Sequence, residues 1–252
     1  MLFKINFANL LLIFKYYAMN VFYVPLSSGS LEIQLDENES NHCIKVLRLR
    51  NDEIITIVDG IGGLYRAKII DAHHKKCRVE IVESTFSPKP TPFIHLAVAP
   101  TKNIERFEWF VEKSIEIGVG MITPLLCEKS ERKIVNIDRI EKIVVAAMKQ
   151  SLNLHKTILN QMTTFPELLK HAKQDQNFIA HCENTEKVAL KQACNSKTDT
   201  LILIGPEGDF SSKEIALATK NGFTSVSLGS TRLRTETAGI IACHSFCFVN
   251  QS

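Results

Sequence analysis

Two glycine-containing segments near the C-terminus carry the residue types best suited to binding a ligand. The first, Gly-Pro-Glu-Gly at 205–208, follows the apolar run 201–204 and precedes a helical pattern. The second begins at Gly229, after the apolar run 226–228, and leads into a long apolar helix pattern. Glycine lets the backbone approach a ligand, and the carboxyl ends of parallel strands form the usual ligand crevice of an α/β sheet. The two segments therefore predict a cofactor site in which backbone N–H and C=O groups contact the ligand.

Arg234 is the side chain in this region that helix capping leaves unexplained. Thr235 can cap the final helix, and Glu236 lies in its first turn, where the helix dipole favours a carboxylate. An arginine beside a ligand loop suits a phosphate, a carboxylate or a polarised base oxygen. The Gly-Pro-Glu-Gly segment also has a plain alternative, ordinary turn chemistry between a strand and a helix. It matches neither the P-loop nor the G-x-G-x-x-G pattern, so neither an NTPase nor a dinucleotide fold is indicated.

The composition is that of an ordinary soluble globular protein. The chain has 252 residues, of which 45% are hydrophobic and 23% charged, and its formal net charge is +3. The basic residues are dispersed, which permits a nucleic-acid partner without arguing for one. The seven cysteines form no C-x-x-C pair, so we expect a reducing, cytoplasmic setting without disulfides or metal. Cys243 and Cys247, one helical turn apart, could form a metal face, but small buried side chains explain them better.

Residues 1–18 are apolar and aromatic and need a separate interpretation. A weak signal peptide is one possibility, but the apolar run at 10–14 is short, Lys15 interrupts it, and no cleavage site of small residues is convincing. We therefore predict an extension outside the fold, with the natural start at Met19. No other stretch is long and apolar enough to span a membrane, so no membrane partner is expected.

Residues 19–83 predict a small, mostly antiparallel β-barrel. Strand patterns alternate with turn signals and lie at 21–24, 31–33, 53–59, 64–70 and 78–82. One helix interrupts them, with Asp36 or Asn38 as its cap and Arg48 and Arg50 at its end. Small barrels of this kind often dock RNA, which would make both arginines RNA contacts. A purely structural appendage fits the same pattern.

Three prolines in residues 84–92 indicate a stiff linker, after which the pattern changes. In residues 93–252 strands alternate with helices, which predicts a mostly parallel sheet covered on both faces. The expected strands are 94–99, 121–125, 178–181, 201–204 and 226–228, and among the expected helices are 104–118, 137–151, 165–172, 185–193 and 238–249. The last helix is apolar almost all round, which is typical of a helix buried in a core or against another subunit.

Basic residues cluster at two loops that should face the crevice. Lys102 and Arg106 lie at the mouth of the first loop, and Arg132 lies on the second. They are candidates for contacts to an RNA backbone, although a solvated helix face explains about half of the charges in this region.

These motifs together resemble the RsmE family of 16S ribosomal RNA (uracil-N3)-methyltransferases, within the SPOUT superfamily. The similarity runs from Met19 to the C-terminus and is most specific at 204–211 and at Leu-Arg-Thr-Glu-Thr-Ala, 233–238. It implies a PUA-like barrel joined to an α/β domain whose C-terminal part forms a trefoil knot. It also implies S-adenosylmethionine as cofactor, a specific uridine of 16S rRNA in the small ribosomal subunit as substrate, and a homodimer through the last helix.

The resemblance also assigns roles to residues. The loops that would hold the cofactor contain Ile204, Gly205, Pro206, Glu207, Gly208, Leu228, Gly229, Leu233, Thr237 and Ala238. Uracil N3 carries a proton whose pKa lies well above neutral, so its methylation requires a group that stabilises the N3 anion. Arg234 is our hypothesis for that group, and the base is Glu207 or solvent. The rival interpretations are a methyltransferase acting on another RNA site or on a ribose 2′-OH, and a non-catalytic RNA-binding or ribosome-assembly factor.

The chain departs from the family pattern at two positions. Asp209 stands where a second glycine is common, and if that position needs a positive φ, aspartate is among the better-tolerated replacements. Asn153 stands where an arginine is common, so a basic RNA contact is either absent there or moved to Lys156.

Overall fold

The structure, a computed structural model, describes residues 20–26 and 31–251. The extension predicted over 1–18 lies outside the described residues. The chain divides into two compact units. Of the described residues, the first contains those up to Lys89 together with Leu152–His155, and the second contains Pro90–Ser151 and those from Lys156 onward.

The first unit is a five-stranded sheet packed against one short helix. Its elements are β1 (Val21–Tyr23), β2 (Glu32–Gln34), α1 (Glu37–Asn41) with a π-helical turn at His42–Val46, β3 (Ile54–Val58), β4 (Gly63–Asp71) and β5 (Arg78–Phe86). The strand order is β1-β3-β4-β5-β2, and every neighbouring pair except β1–β3 is antiparallel. The mostly antiparallel prediction is confirmed. Strand β5 continues to Phe86, so its last three residues occupy part of the stretch predicted as a linker.

Of the two predicted caps of α1, Asp36 is the one used. Its carboxylate oxygen Oδ1 accepts a hydrogen bond of 2.7 Å from the N–H of Glu39. In the core of this unit, Phe22, Leu35 and Ile57 are completely buried. Strands β3 and β4 each contribute two alternating side chains to the ten buried residues of this core, as expected for strands that turn one face inward.

The second unit is an α/β domain built on a parallel sheet. Its elements are β6 (Ile94–Val98), α2 (Ile104–Ile117), β7 (Met121–Leu126), α3 (Ile137–Ser151), β8 (Ile158–Leu159), β9 (Thr163–Thr164), α4 (Phe165–His171), β10 (Gln176–Ala180), β11 (Val188–Ala189), α5 (Leu190–Ala193), β12 (Thr200–Ile204), α6 (Ser212–Lys220), β13 (Thr224–Ser227) and α7 (Thr235–Asn250). The strand order is β11-β13-β10-β12-β6-β7-β8, and β9 pairs with β7. All pairs are parallel, which confirms the predicted sheet.

Strand β12 shows why both faces of this sheet are covered. All five of its residues are buried. Ile202 and Ile204 belong to the core formed with α2, α3 and α7, whereas Leu201 and Leu203 belong to the core formed with α4 and α6. A strand buried on both faces gives a continuous apolar run rather than an alternating one, which is the pattern found in the sequence.

Two predicted helices differ from the structure at their N-terminal ends. The helix predicted over 185–193 was wrong in its first part, because Val188–Ala189 forms an edge strand on β13 and only Leu190–Ala193 is helical. The final helix begins at Thr235, three residues before the predicted start. Thr235 is not its cap: Arg234 occupies that position without a side-chain capping bond, and the Thr235 hydroxyl donates to Gly205 O at 3.0 Å.

Helix α7 packs along α2 in the core of the second unit. Its Gly239 lies beneath the ring of Phe110, and the thiols of Cys243 and Cys247 donate to backbone carbonyls of α2. These contacts turn both cysteines towards α2 and explain them as packed side chains. Within the residues that the structure describes, neither α7 nor any other helix has the length and apolar character needed to cross a bilayer.

His95 is a buried polar side chain on the opposite face of the sheet, and it makes the stability of the fold depend on pH. Its Nε2 lies 2.7 Å from the Thr123 hydroxyl, which also accepts from Asn160. Burial lowers the pKa of His95 from 6.5 to about 4. Because the unfolded chain binds the proton more readily, the stabilising contribution is complete above pH 6.5 and is lost as the pH falls towards 4.

We expect the free energy of unfolding to fall by about 2 kcal/mol between pH 7 and pH 5 through His95 alone. Urea unfolding of the wild type and of His95→Gln at both pH values measures this, because glutamine does not titrate. His171→Gln, which removes an exposed histidine of α4, is the matched control. An equal pH dependence in His95→Gln and the wild type would contradict the prediction.

Candidate cofactor site

A cavity lies at the carboxyl ends of β10, β12 and β13. Its volume is ≈ 940 Å³, and its wall contains the loops that follow all three strands. The strand order explains this convergence, because β10 lies between β12 and β13 and so brings their loops to either side of its own C-terminal end. The crevice at the carboxyl edge of a parallel sheet is where ligands bind in α/β proteins.

Most of the residues predicted to hold a cofactor line this cavity. Ile204, Gly205, Pro206, Glu207, Leu228, Gly229, Leu233 and Ala238 are in the wall, and Gly208 and Thr237 are not. Lys129 lies beside Gly208, and its ammonium donates to Gly208 O and to Phe210 O at 3.1 Å each. The lysine therefore holds the loop through two backbone carbonyls.

The glycines of the two loops serve different purposes. A Cβ atom on Gly205 would lie 3.1 Å from the backbone nitrogen of Phe210, so this glycine allows Phe210 to pack against the loop. Gly229 has a φ of +146° with open space around it, so its glycine is required by the backbone conformation. The packing of Phe210 thus gives Gly205 a structural reason of its own, and the approach of its backbone to a cofactor stays a prediction.

Asp209 closes the Gly-Pro-Glu-Gly turn and links it to the loop after β10. Its φ is +62°, a positive value that aspartate adopts more readily than most residues other than glycine. Its carboxylate accepts from Phe210 N through Oδ1 and from Cys182 N through Oδ2, both at 2.8 Å. The aspartate therefore adds a connection between two loops of the cavity that a glycine could not make.

Glu207 and Arg234, the two predicted catalytic residues, both lie in the wall but differ in their contacts. Glu207 Oε1 accepts a hydrogen bond of 2.9 Å from Lys102 N. The guanidinium of Arg234 is exposed and forms no ion pair or hydrogen bond with the protein residues that the structure describes. The arginine is thus free to meet a ligand, whereas the carboxylate is partly engaged by the loop after β6.

The three basic residues predicted near this loop have protein partners. Lys102 pairs with Glu131 at 2.9 Å, and this hydrogen bond raises the pKa of Lys102, so the ammonium stays charged. Arg132 donates to the carbonyls of Thr101 and Lys102, and Arg106 Nε lies 4.0 Å from Glu236 Oε1. Arg132 therefore shapes the loop, while Lys102 and Arg106 keep exposed side chains beside it.

The remaining predicted RNA contacts lie elsewhere. Arg48 and Arg50 are exposed in the first unit, after the π-helical turn, and Arg48 has a φ of +59°. At the second departure from the family pattern, Asn153 Oδ1 accepts from His155 N at 3.1 Å, a local turn contact. Lys156 forms an ion pair with Glu141.

The sequence interpretation missed the loop after β10 and Arg232. His181, Cys182 and Glu183 line the cavity, and Arg232 lies in its wall with Nη2 3.5 Å from Glu207 O. The strand before this loop was expected, at 178–181, but no glycine marks its end. Because the carboxyl ends of parallel strands lie at the same edge of a sheet, the loop after this strand could have been predicted to line the cavity.

Comparison with known protein families shows the class of protein to which this chain belongs. Residues 87–246 match the model of the RNA methyltransferase domain, and residues 35–82 match the model of the RNA methyltransferase PUA domain. The fold and the cavity are thus those of an RNA methyltransferase with an N-terminal PUA domain. The chain belongs to the ribosomal RNA small subunit methyltransferase E family.

Relatives and solved structures agree with this assignment. Ribosomal RNA small subunit methyltransferase E of Buchnera aphidicola is 33% identical over 215 residues, which are 82% of this chain and 83% of the relative. The crystal structure of a probable rRNA-methyltransferase from Porphyromonas gingivalis has a TM-score of 0.85 and 35% identity, covering 92% of this chain and 98% of that one. The Neisseria gonorrhoeae ribosomal RNA small subunit methyltransferase E bound to S-adenosyl methionine has a TM-score of 0.80 and 27% identity, with coverages of 92% and 98%.

Proposed function

We propose that this protein transfers the methyl group of S-adenosylmethionine to N3 of a specific uridine in the 16S rRNA of the small ribosomal subunit. The cavity at the carboxyl ends of β10, β12 and β13 carries the proposal. It joins a wall rich in loop backbone to an arginine that has no partner among the described residues. Family membership and the cofactor named in the Neisseria structure support the same chemistry.

The residues present fit this cofactor. The cavity volume of ≈ 940 Å³ falls within the range of roughly 300–1,000 Å³ that is usual for small-molecule sites. The loops at Gly205 and Gly229 offer backbone donors and acceptors, and Leu228 and Leu233 offer apolar surface. When bound, S-adenosylmethionine supplies an electrophilic methyl group on a sulfonium centre.

Arg234 is the residue that we assign to the charge developing on the base. Removal of the N3 proton leaves a uracil anion delocalised onto O2 and O4, and a fixed cation near one of these oxygens lowers the cost of forming it. The exposed guanidinium of Arg234 at the edge of the cavity can reach a base that has been turned out of its stack. Holding the base in line with the methyl group supplies the rest of the rate enhancement.

Glu207 is the candidate base for the N3 proton, with solvent as the alternative. One carboxylate oxygen is engaged by Lys102 N, so the other is the oxygen available to a substrate. In this role the backbone of Lys102 positions the carboxylate, while the exposed side chains of Lys102 and Arg106 contact the RNA backbone. In the PUA domain, Arg48 and Arg50 are the candidates for RNA contacts.

Transfer of labelled methyl from S-adenosylmethionine to small ribosomal subunits that lack the modification tests the proposal. Nucleoside analysis should recover the label as 3-methyluridine, and naked 16S rRNA run beside the subunits shows whether assembly is required. Label in a 2′-O-methyl nucleoside or in another RNA would favour the first rival function. Intact cofactor binding without any transfer would favour the RNA-binding or ribosome-assembly factor.

The trefoil knot and the homodimer both stay predictions. An exposed side chain of α7 supports the homodimer. Phe248 on this mostly apolar helix is 66% exposed. Covering such a side chain with a second copy removes apolar surface from water.

We expect Phe248→Glu to weaken dimerisation at least tenfold, because a buried carboxylate at the interface would lose its hydration. Light scattering across a dilution series measures the change in mass. Phe86→Glu, at a phenylalanine of β5 that is 62% exposed, is the matched control and should leave the mass unchanged. A dimer of unchanged affinity in Phe248→Glu would exclude this face as the interface.

A further inference from the structure

His181 is a buried side chain in the cavity wall to which the proposed reaction gives no role. It follows β10 directly, and the preceding residue, Ala180, pairs with Ile204 of β12 on one side and with Val226 of β13 on the other. The histidine therefore stands between the loop that starts at Gly205 and the loop that contains Gly229, at the centre of the cavity wall.

The backbone around His181 is held from several directions. Cys182 N donates to Asp209 Oδ2 at 2.8 Å, and Lys187 Nζ donates to His181 O at 3.1 Å and to Glu183 O at 2.6 Å. The Glu183 side chain accepts from the Ser212 hydroxyl at 2.8 Å. The backbone that carries the imidazole is thus held by contacts that do not involve the ring itself.

The ring of His181 is left without a hydrogen-bond partner. The residue is 7% exposed, and neither Nδ1 nor Nε2 bonds to any residue that the structure describes. Burial, and next the charge of Lys187, lower the pKa of His181, while Asp209 and Glu183 oppose the shift. A neutral imidazole offers one N–H donor and one nitrogen acceptor, and leaving both unused inside a protein is destabilising.

We propose that His181 contacts the cofactor and that its imidazole hydrogen-bonds the adenosine part of S-adenosylmethionine. The proposal rests on the proposed function. Adenosine is uncharged and carries donors and acceptors on both its base and its ribose, which matches a neutral imidazole. The amino-acid part of the cofactor is charged and would favour charged partners, but the nearby Lys187 and Asp209 already bond to the protein backbone. The contact requires a rotation of the imidazole, because both ring nitrogens are buried.

Calorimetry on the full chain tests the contact with two ligands. S-adenosylhomocysteine contains both the adenosine and the amino-acid part, whereas 5′-methylthioadenosine lacks the amino-acid part. His181→Phe keeps a planar ring and removes both nitrogens, and we expect it to raise the Kd of both ligands about tenfold, the effect of one lost hydrogen bond. His171→Phe, outside the cavity, is the matched control and should change neither Kd.

The thermal unfolding of the ligand-free variants separates this role from a structural one. Because the ring nitrogens have no protein partner, His181→Phe should unfold at the wild-type temperature or above it. A lower unfolding temperature, an unchanged Kd for both ligands, or a loss confined to S-adenosylhomocysteine would each overturn the proposal. A wild-type protein that binds neither ligand would instead refute the proposed cofactor, and the two failures are therefore distinguishable.

Discussion

Arg234→Ala is expected to lower kcat by about 100- to 1,000-fold, the usual effect of removing one group that stabilises a developing oxyanion. The side chain is exposed at the cavity edge and makes no capping bond to α7, so its removal should not disturb the fold. The Kd of S-adenosylhomocysteine should stay within about twofold of the wild-type value, because this role is exerted on the base. Single-turnover transfer to saturating RNA measures the effect.

Two further variants make the role of Arg234 specific. Arg234→Lys keeps the charge but loses the planar fork of donors, so it should recover only part of the rate. Arg139→Ala removes an exposed arginine of α3 that pairs with Glu108 and should leave kcat unchanged. Unchanged turnover in Arg234→Ala, with cofactor binding intact, would remove this arginine from the reaction. A loss of RNA affinity at constant kcat would make it an RNA-binding residue instead.

Gly239→Val is expected to destabilise the protein by about 3 kcal/mol, the largest effect on folding that we predict. A Cβ atom on Gly239 would lie 2.5 Å from Cε2 of Phe110, and Phe110 is completely buried, so its ring has no free space to enter. The gain in helix propensity on replacing glycine is at most about 1 kcal/mol and does not offset the overlap. Urea unfolding at neutral pH measures the change.

A double-mutant cycle shows whether the overlap with Phe110 is the cause. Phe110→Leu leaves a smaller side chain against residue 239, so the valine should cost less in that background than in the wild type. If the two substitutions add without coupling, the destabilisation arises elsewhere in α7. Because Arg234 lies at the start of α7, a shift of this helix would also lower activity, and unfolding therefore has to be measured separately from turnover.

The sequence alone predicted the parallel sheet and most of the elements that carry the cavity. The continuous apolar runs at 94–99 and 201–204 gave buried strands, and the apolar spacing in 104–118 and 137–151 gave helices whose bounds the structure matches closely. These predictions depend on periodicity within a single segment, which burial on one or both faces imposes directly. The motifs at 204–211 and 233–238 likewise indicated the family, because they are contiguous in the sequence.

Tertiary structure decided which groups meet in the cavity. The carboxylate of Glu207 bonds to the backbone of Lys102, the hydroxyl of Thr235 bonds to Gly205 O, and the carboxylate of Asp209 bonds to Cys182 N. Each bond joins segments that are distant along the chain, and no local pattern of residues encodes it. The insertion of β10 between β12 and β13 likewise places His181 beside two loops whose residues are adjacent only after folding. Strand order depends on the packing of the whole sheet. The residues at the centre of the cavity wall could therefore not be predicted from the sequence alone.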